Sequence, residues 1–474
     1  MSQKQAVKTG RPQVPFVERQ AKVTRAVNRI DNFGIGEIRR LINTGRAMTR
    51  AGVFEGARYA SRIPRQPLRP EPLPRAAATA LRRGCEELGP AYVKFAQIIA
   101  SSPGLFPDVL SDEFRKCLDA VPPMPRREVH QRIRRELGAP VKDIFEYFDD
   151  TPLASASIAQ VHRARYDGND IVVKVRRPGL VRRFRHDLRI LRRIAGILNE
   201  FETTAVANPI GVVEDFARTL YEEMDFAREG ESMERFEANI SKGDYPSVNI
   251  PKVHWDYTSE RVLTMSREYG VAPDDADTIL NTWNIDVMPV FLEAAGAWIE
   301  SAFVHGFFHG DLHAGNLMLN ENGIITFLDF GIMGNLEEDD RKVLRKLIPA
   351  MMVQGDFDLV AEMITDLAAF SSSQVTKEQA TSQLADDIRK LHSETVTKTV
   401  KELAQSFGSI LSDVITAART HGLFMPKEFV LIGKQMLYLE RYAQVLLPDY
   451  EIFTDPKIME TLMTSLDLSD NEVH

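Results

Sequence analysis

The stretch HGDLHAGN, His309 to Asn316, followed by TFLDFG, Thr326 to Gly331, constrains this chain more than any other feature of its 474 residues. Asp311, on a loop, can orient or deprotonate an acceptor hydroxyl. Asn316, five residues later, faces the same site and can ligate a metal ion. Asp329 follows thirteen residues on, after a short hairpin, and returns to the same edge. A base, an amide ligand and a carboxylate ligand in that order suit transfer of a phosphoryl group from a nucleotide. Mg²⁺ is a hard cation that takes oxygen ligands, which Asn316 and Asp329 supply. HxD or DFG alone arises by chance; both at this spacing, between hydrophobic strands, are specific.

The other half of such a site is expected upstream. Ile171, Val172, Val173 and Lys174 read as the end of a hairpin, where a lysine grips the α- and β-phosphates. A lone lysine on a strand is ordinarily a solvated edge residue. This one follows three apolar residues and lies between a nucleotide-loop candidate and a long helix. Its expected ion-pair partner is Glu229, on a helix that also carries Glu222, Glu223, Asp225 and Arg228. The loop over the phosphates is ASASIAQ, Ala154 to Gln160, which holds no glycine. Glycine there lets backbone amides approach a nucleotide closely. Ala154, Ser155, Ala156 and Ser157 would hold phosphates differently, with the Ser155 or Ser157 hydroxyl as donor. Between Gly331 and a charged helix starting near Glu337 lie only Ile332 to Leu336, with no APE. That leaves little room for a peptide platform and favours a small or lipid acceptor, or water.

Along the chain, residues 1–15 read as disordered. Residues 16–61 turn helical, with apolar stripes Val23, Val27, Ile30 and Ile38, Leu41, Ile42. Five prolines from Pro64 to Pro74 make a stiff linker. Helices are expected over 76–101, 111–120 and 126–138. Strands are expected over 158–166 and 171–176, joined by the turn Asp167, Gly168, Asn169. Helices then follow over 179–201 and 209–240, and strands near 250–254 and 261–266. The remainder reads as helical except for strands 317–319 and 324–328. The expected divisions are a basic arm and linker (16–74), a helical extension (75–150), an N-lobe (151–268), a C-lobe (269–450) and a tail (451–474).

Composition limits the alternatives. The chain is 44% hydrophobic and 27% charged, enough for a large core. Two cysteines, Cys85 and Cys117, without a CxxC pair, exclude a disulfide framework and favour a reducing compartment. No secretory signal is read at MSQKQAVKTG, and no run of 18 apolar residues is found, so the expected location is cytoplasmic or peripheral to a membrane. Net charge is −8, with residues 1–70 near +11 and the rest near −19. An acidic body argues against nucleic-acid binding. The basic arm either docks on the protein's own core or contacts an anionic membrane.

These residues resemble the UbiB/ADCK/AarF (Coq-type) family of atypical kinases over about residues 75–370. LGPAYVKFAQ, Leu88 to Gln97, is similar to its KxGQ helix, and PLASASIAQVH, Pro152 to His162, to its alanine-rich loop. Glu223, Met224 and Asp225 are similar to its ExD motif; HGDLHAGN and the DFG of Asp329 to Gly331 complete the set. The resemblance implies an α+β, bilobal protein-kinase-like fold with a helical N-terminal extension and a mostly helical C-lobe. It implies ATP or ADP and Mg²⁺ as ligands, and an acceptor in isoprenoid or quinone-lipid metabolism. It also implies regulatory roles for Lys94 and Gln97, in an extension folding over the site, and for Glu223 and Asp225 facing it. The family's glycines at two positions are Ala96 and Ala159 here, and the C-terminal membrane pair of some bacterial members is not expected. A phosphotransferase of aminoglycoside- or choline-kinase type, or a nucleotide-switched lipid-handling scaffold with little turnover, are the other readings of the same motifs.

Overall fold

The computed structural model describes residues 16–27, 46, 50, 75–100, 108–116, 122–200, 208–350, 356–370, 375–396, 407–448 and 450. Val27 falls among them, whereas the stripe residues Ile30, Ile38, Leu41 and Ile42 lie outside them. Helices α1 (Phe16–Val27), α2 (Arg75–Leu88), α3 (Pro90–Ala100), α4 (Asp108–Phe114), α5 (Arg126–Leu137) and the single turn α6 (Val141–Ile144) come first. Strands β1 (Tyr147–Ser155), β2 (Ala159–Tyr166) and β3 (Asn169–Arg176) precede α7 (Leu180–Asn199), α8 (Pro209–Glu223) and α9 (Phe226–Ile240). Then come β4 (Val248–Asn249), β5 (Val262–Ser266), α10 (Val287–Phe303), β6 (Phe307–His309), β7 (Leu317–Leu319), β8 (Ile325–Phe327) and β9 (Met333–Asn335). The last described elements are α11 (Glu338–Pro349), α12 (Phe357–Leu367), β10 (Ala369–Phe370), α13 (Lys377–Val396), α14 (Phe407–Thr420), β11 (Leu423–Phe424) and α15 (Lys427–Leu446). Two compact units result: Met1–Arg228 with His254–Ser266, and Glu229–Val253 with Arg267–His474.

In the first unit an antiparallel sheet runs in the order β1-β2-β3-β5. The β2–β3 hairpin turns on Asp167 (φ 49°) and Gly168 (φ 73°). Two successive left-handed residues match the right-handed strand twist, which is why Asp-Gly is favoured there. Along β3, Ile171, Val173 and Val175 are buried in one cluster with Val129, Ile133 and Leu137 of α5. Alternation sends Val172, Lys174 and Arg176 to the opposite face. Lys174 sits opposite Val161 of β2 and Leu263 of β5, and its Nζ lies 5.2 Å from the centroid of the Phe226 ring. Strand β1 was not expected; its exposed, weakly alternating residues carry little strand signal, and pairing with β2 makes it one.

Two expected helices are each broken in two. The helix expected over 76–101 stops at Gly89 (φ 104°) and restarts at Pro90. Glycine ends a helix in a left-handed conformation at little cost, and proline suits a first helical turn. The helix expected over 209–240 breaks at Met224 and Asp225. There Asp225 Oδ1 accepts from the Arg228 N–H (3.3 Å), a capping contact, and the buried Arg176 guanidinium donates to the Met224 carbonyl.

The second unit is mainly helical. β8 pairs parallel with β4 and antiparallel with β7, and β6 pairs antiparallel with β9. Most of α10 is buried, Trp298 completely. The apolar run there is therefore a core helix. Among the described residues no helix is long and apolar enough to cross a membrane.

Candidate active site

Strand β6 ends at His309, which is fully buried. Its Nε2 faces the Leu328 carbonyl at 3.0 Å, and its Nδ1 accepts from the Asp311 N–H at 3.2 Å. A carbonyl only accepts, so the proton belongs on Nε2. Burial pushes the pKa of His309 below the usual histidine range and keeps the ring neutral. One imidazole thus ties the loop carrying Asp311 to the residue before Asp329. The Trp298 indole N–H donates to the His309 carbonyl (2.9 Å) and fixes the strand end.

The same loops are laced a second time through Asn316. Its Nδ2 donates to the Asp311 carbonyl (2.8 Å), while its main-chain carbonyl accepts from the Leu328 N–H (2.8 Å). Committing the amide nitrogen to the loop leaves Oδ1 as the electron-donating end of the side chain. Asp329 has φ 55°, a left-handed conformation uncommon for a residue other than glycine. Such residues persist where neighbours over-determine them. Here Phe330 is buried with ring centroids 5.0 Å from His309 and 5.5 Å from Phe236. An amide oxygen and a carboxylate are hard donors that fit Mg²⁺, so Asn316 and Asp329 could hold that ion.

Three residues that sequence reasoning did not single out complete this loop, all from α15. Lys434 Nζ donates to Asp311 Oδ1 (2.8 Å). The buried Gln435 accepts from the Leu312 N–H (2.7 Å) and donates to the Gly310 carbonyl (2.8 Å). The Tyr442 hydroxyl donates to the Leu312 carbonyl (2.7 Å). His313 Nε2 lies 3.6 Å from Asp311 Oδ2. The available signal was a lysine, a glutamine and a tyrosine at positions where a plain core helix would carry apolar residues.

The remaining expected site residues fall in the first unit, apart from Glu229. Lys94 Nζ pairs with Glu223 Oε2 at 3.1 Å, with side chains 20% and 9% exposed. Asp225 caps α9 as described. Ala96 is fully buried on α3, and the side chain of Gln97 lies outside the described residues. The expected seven-residue loop is shorter than read: Ala154 and Ser155 end β1 and Ala159 begins β2, which leaves Ala156, Ser157 and Ile158 as the turn. Arg177 pins it, donating to the Ala156 carbonyl (2.8 Å) and Ser155 Oγ (2.8 Å), while its N–H bonds the Ile158 carbonyl (2.9 Å). Ser157 is buried. Lys174 belongs to this unit; Glu229, buried in the first turn of α9, belongs to the second.

Comparison with known proteins identifies the family. Residues 116–364 match the ABC1 atypical kinase-like domain and residues 388–451 the UbiB helical domain. An uncharacterized protein of Mycobacterium tuberculosis (strain ATCC 25618 / H37Rv) is 37% identical over 437 residues, 92% of this chain and 86% of that one. A probable protein kinase UbiB of Marinobacter nauticus is 31% identical over 380 residues, 79% of this chain and 68% of the relative. A solved structure, the complex of Rv3197 with erythromycin from Mycobacterium tuberculosis, is similar over 76% of this chain and 92% of that one. Its identity is 23% and the TM-score 0.44. Asp311, Asn316 and Asp329 fall within the kinase-like match, and Lys434, Gln435 and Tyr442 within the helical one. With an α+β fold and both domains in order, the chain belongs to the ABC1/UbiB family of atypical kinases.

Proposed function

We propose that the protein binds ATP with Mg²⁺ and transfers the terminal phosphoryl group to a small or lipid acceptor, or to water. The observation that carries this reading is the doubly laced loop in which His309 and Asn316 tie Asp311 to Leu328, the residue before Asp329. Phosphoryl transfer needs positioning and charge stabilisation more than covalent chemistry. A rigid loop bearing one carboxylate for the acceptor and two oxygen ligands for an ion is suited to that.

Each residue then has a role. Asp311 orients the attacking hydroxyl or water and takes its proton. Asn316 and Asp329 would hold the ion, whose charge, when bound, would offset that of the phosphates. Lys174, on the face of β3 away from the core cluster, contacts the α- and β-phosphates. The stretch from Ala154 to Ser157, the end of β1 and the start of the turn, covers the phosphates, held in shape by Arg177 in place of glycine freedom. Lys94 and Gln97 restrain the site, Lys94 through Glu223. β9 starts two residues after Gly331 and α11 soon follows, which supports a small acceptor over a docked peptide. The substrate class drawn from the resemblance is an isoprenoid or quinone lipid. A membrane contact through α1 has less support, since Lys22 pairs with Glu260 at 2.9 Å and Val27 is buried.

The test is single-turnover cleavage of labelled ATP, with and without lipid vesicles, in the wild type and Asp311→Asn. The variant should bind ATP normally and lose about 10²–10⁴-fold in rate, the usual cost of losing a general base. Normal binding with a wild-type rate would rule out Asp311 as the base.

A further inference from the structure

We propose that α15, in the C-terminal helical domain, is a working part of the catalytic loop, and that Lys434 is the positioning residue for the Asp311 carboxylate. The inference rests on the reading of Asp311 as the base. Three side chains of one helix reach the three consecutive residues Gly310, Asp311 and Leu312. Gln435 holds the main chain on both sides of Asp311, at the Gly310 carbonyl and the Leu312 N–H. Tyr442 holds the Leu312 carbonyl. Lys434 holds the carboxylate itself, at Oδ1. A charge-assisted contact of 2.8 Å restricts the carboxylate rotamer, and it does so from a helix whose neighbouring residue fixes the backbone.

An alternative is that Lys434 is a latch that blocks Asp311 until released. The surroundings argue against it. Gln435 is fully buried, so withdrawing α15 would strand the Leu312 N–H and the Gly310 carbonyl without their partner. A latch needs an element that leaves easily, and this one is bonded into the loop it would release. Lys434 is also largely buried, 16% exposed, with Nζ 5.7 Å from the centroid of the Tyr438 ring, which holds its stem in place.

The experiment uses the full chain and four variants: Lys434→Met, Lys434→Arg, Asp311→Asn and the double variant Asp311→Asn/Lys434→Met. Turnover of Mg-ATP gives kcat and KM, calorimetric titration gives nucleotide affinity, and thermal melting checks folding. Lys434→Met should lower kcat by about 10–100-fold, the scale expected when a catalytic group is displaced by an ångström or so, with KM and affinity held. Lys434→Arg should recover most of the loss. In the Asp311→Asn background the Lys434→Met change should alter kcat by less than about twofold, because a residue acting through Asp311 has nothing left to position. Overturning results are a wild-type kcat in Lys434→Met, a kcat above wild type (a brake), or losses that multiply in the double variant. A wild-type rate in Asp311→Asn is a different failure: it removes the base assignment and this inference with it.

Discussion

Replacing Gln435 with leucine asks whether the loop under Asp311 depends on α15. Leucine has nearly the same volume, so no sizeable cavity is left. What is lost is a pair of buried hydrogen bonds, to the Gly310 carbonyl at 2.8 Å and from the Leu312 N–H at 2.7 Å. The third contact, to the Leu431 carbonyl at 3.1 Å, is to a group already inside the helix ladder and matters little. A buried backbone group stripped of its partner costs about 1–3 kcal/mol, so two give about 2–6 kcal/mol. At about 2–4 °C per kcal/mol for a unit of this size, the thermal midpoint should fall by at least about 4 °C. Melting followed by far-UV circular dichroism measures that shift, and ATP turnover below the midpoint measures the effect on the loop. Turnover should drop together with stability. A midpoint within about 1 °C of wild type with unchanged turnover would mean that these contacts hold nothing, since even one stranded group is expected to cost more.

Two further outcomes follow from the first unit. Lys174→Ala should weaken nucleotide binding by about 1.5–3 kcal/mol, roughly tenfold to a hundredfold, through loss of a charge-assisted phosphate contact; fluorescent-nucleotide titration with an unchanged Kd would remove Lys174 from the site. Lys94→Ala frees Glu223 from a half-buried pair at 3.1 Å and should change the ATP/ADP preference or the basal rate without unfolding the protein. A folded variant with the same preference and rate would show that the pair is structural only.

How much of this was legible depended on how far each residue's partner lies along the chain. Asp311, Asn316 and Asp329 fall within 19 residues, and the chemistry dictates residue type and spacing, so the loop could be read directly. The β2–β3 hairpin was equally readable, because Asp167 and Gly168 are what two left-handed turn positions select. Lys434, Gln435 and Tyr442 act on partners 123 to 130 residues away, and no local pattern records such a contact. The breaks at Gly89 and at Met224–Asp225 were missed for another reason. Apolar periodicity continues across both, and the stop is made by one glycine φ in the first case and by an Asp225 cap with an Arg176 contact in the second. Arg177 was passed over because basic residues after a strand are ordinary, and only its bonds to the turn set it apart.

Whether Asn316 and Asp329 hold an ion that carries the nucleotide is tested most directly by calorimetric titration of ATP with and without Mg²⁺. The wild type should bind ATP in the presence of Mg²⁺ and lose that binding when the ion is chelated. Asp329→Asn, which keeps the shape of the side chain and removes its charge, should show no magnesium-dependent binding while melting as a folded protein. Undiminished, magnesium-dependent ATP binding in Asp329→Asn would contradict the account.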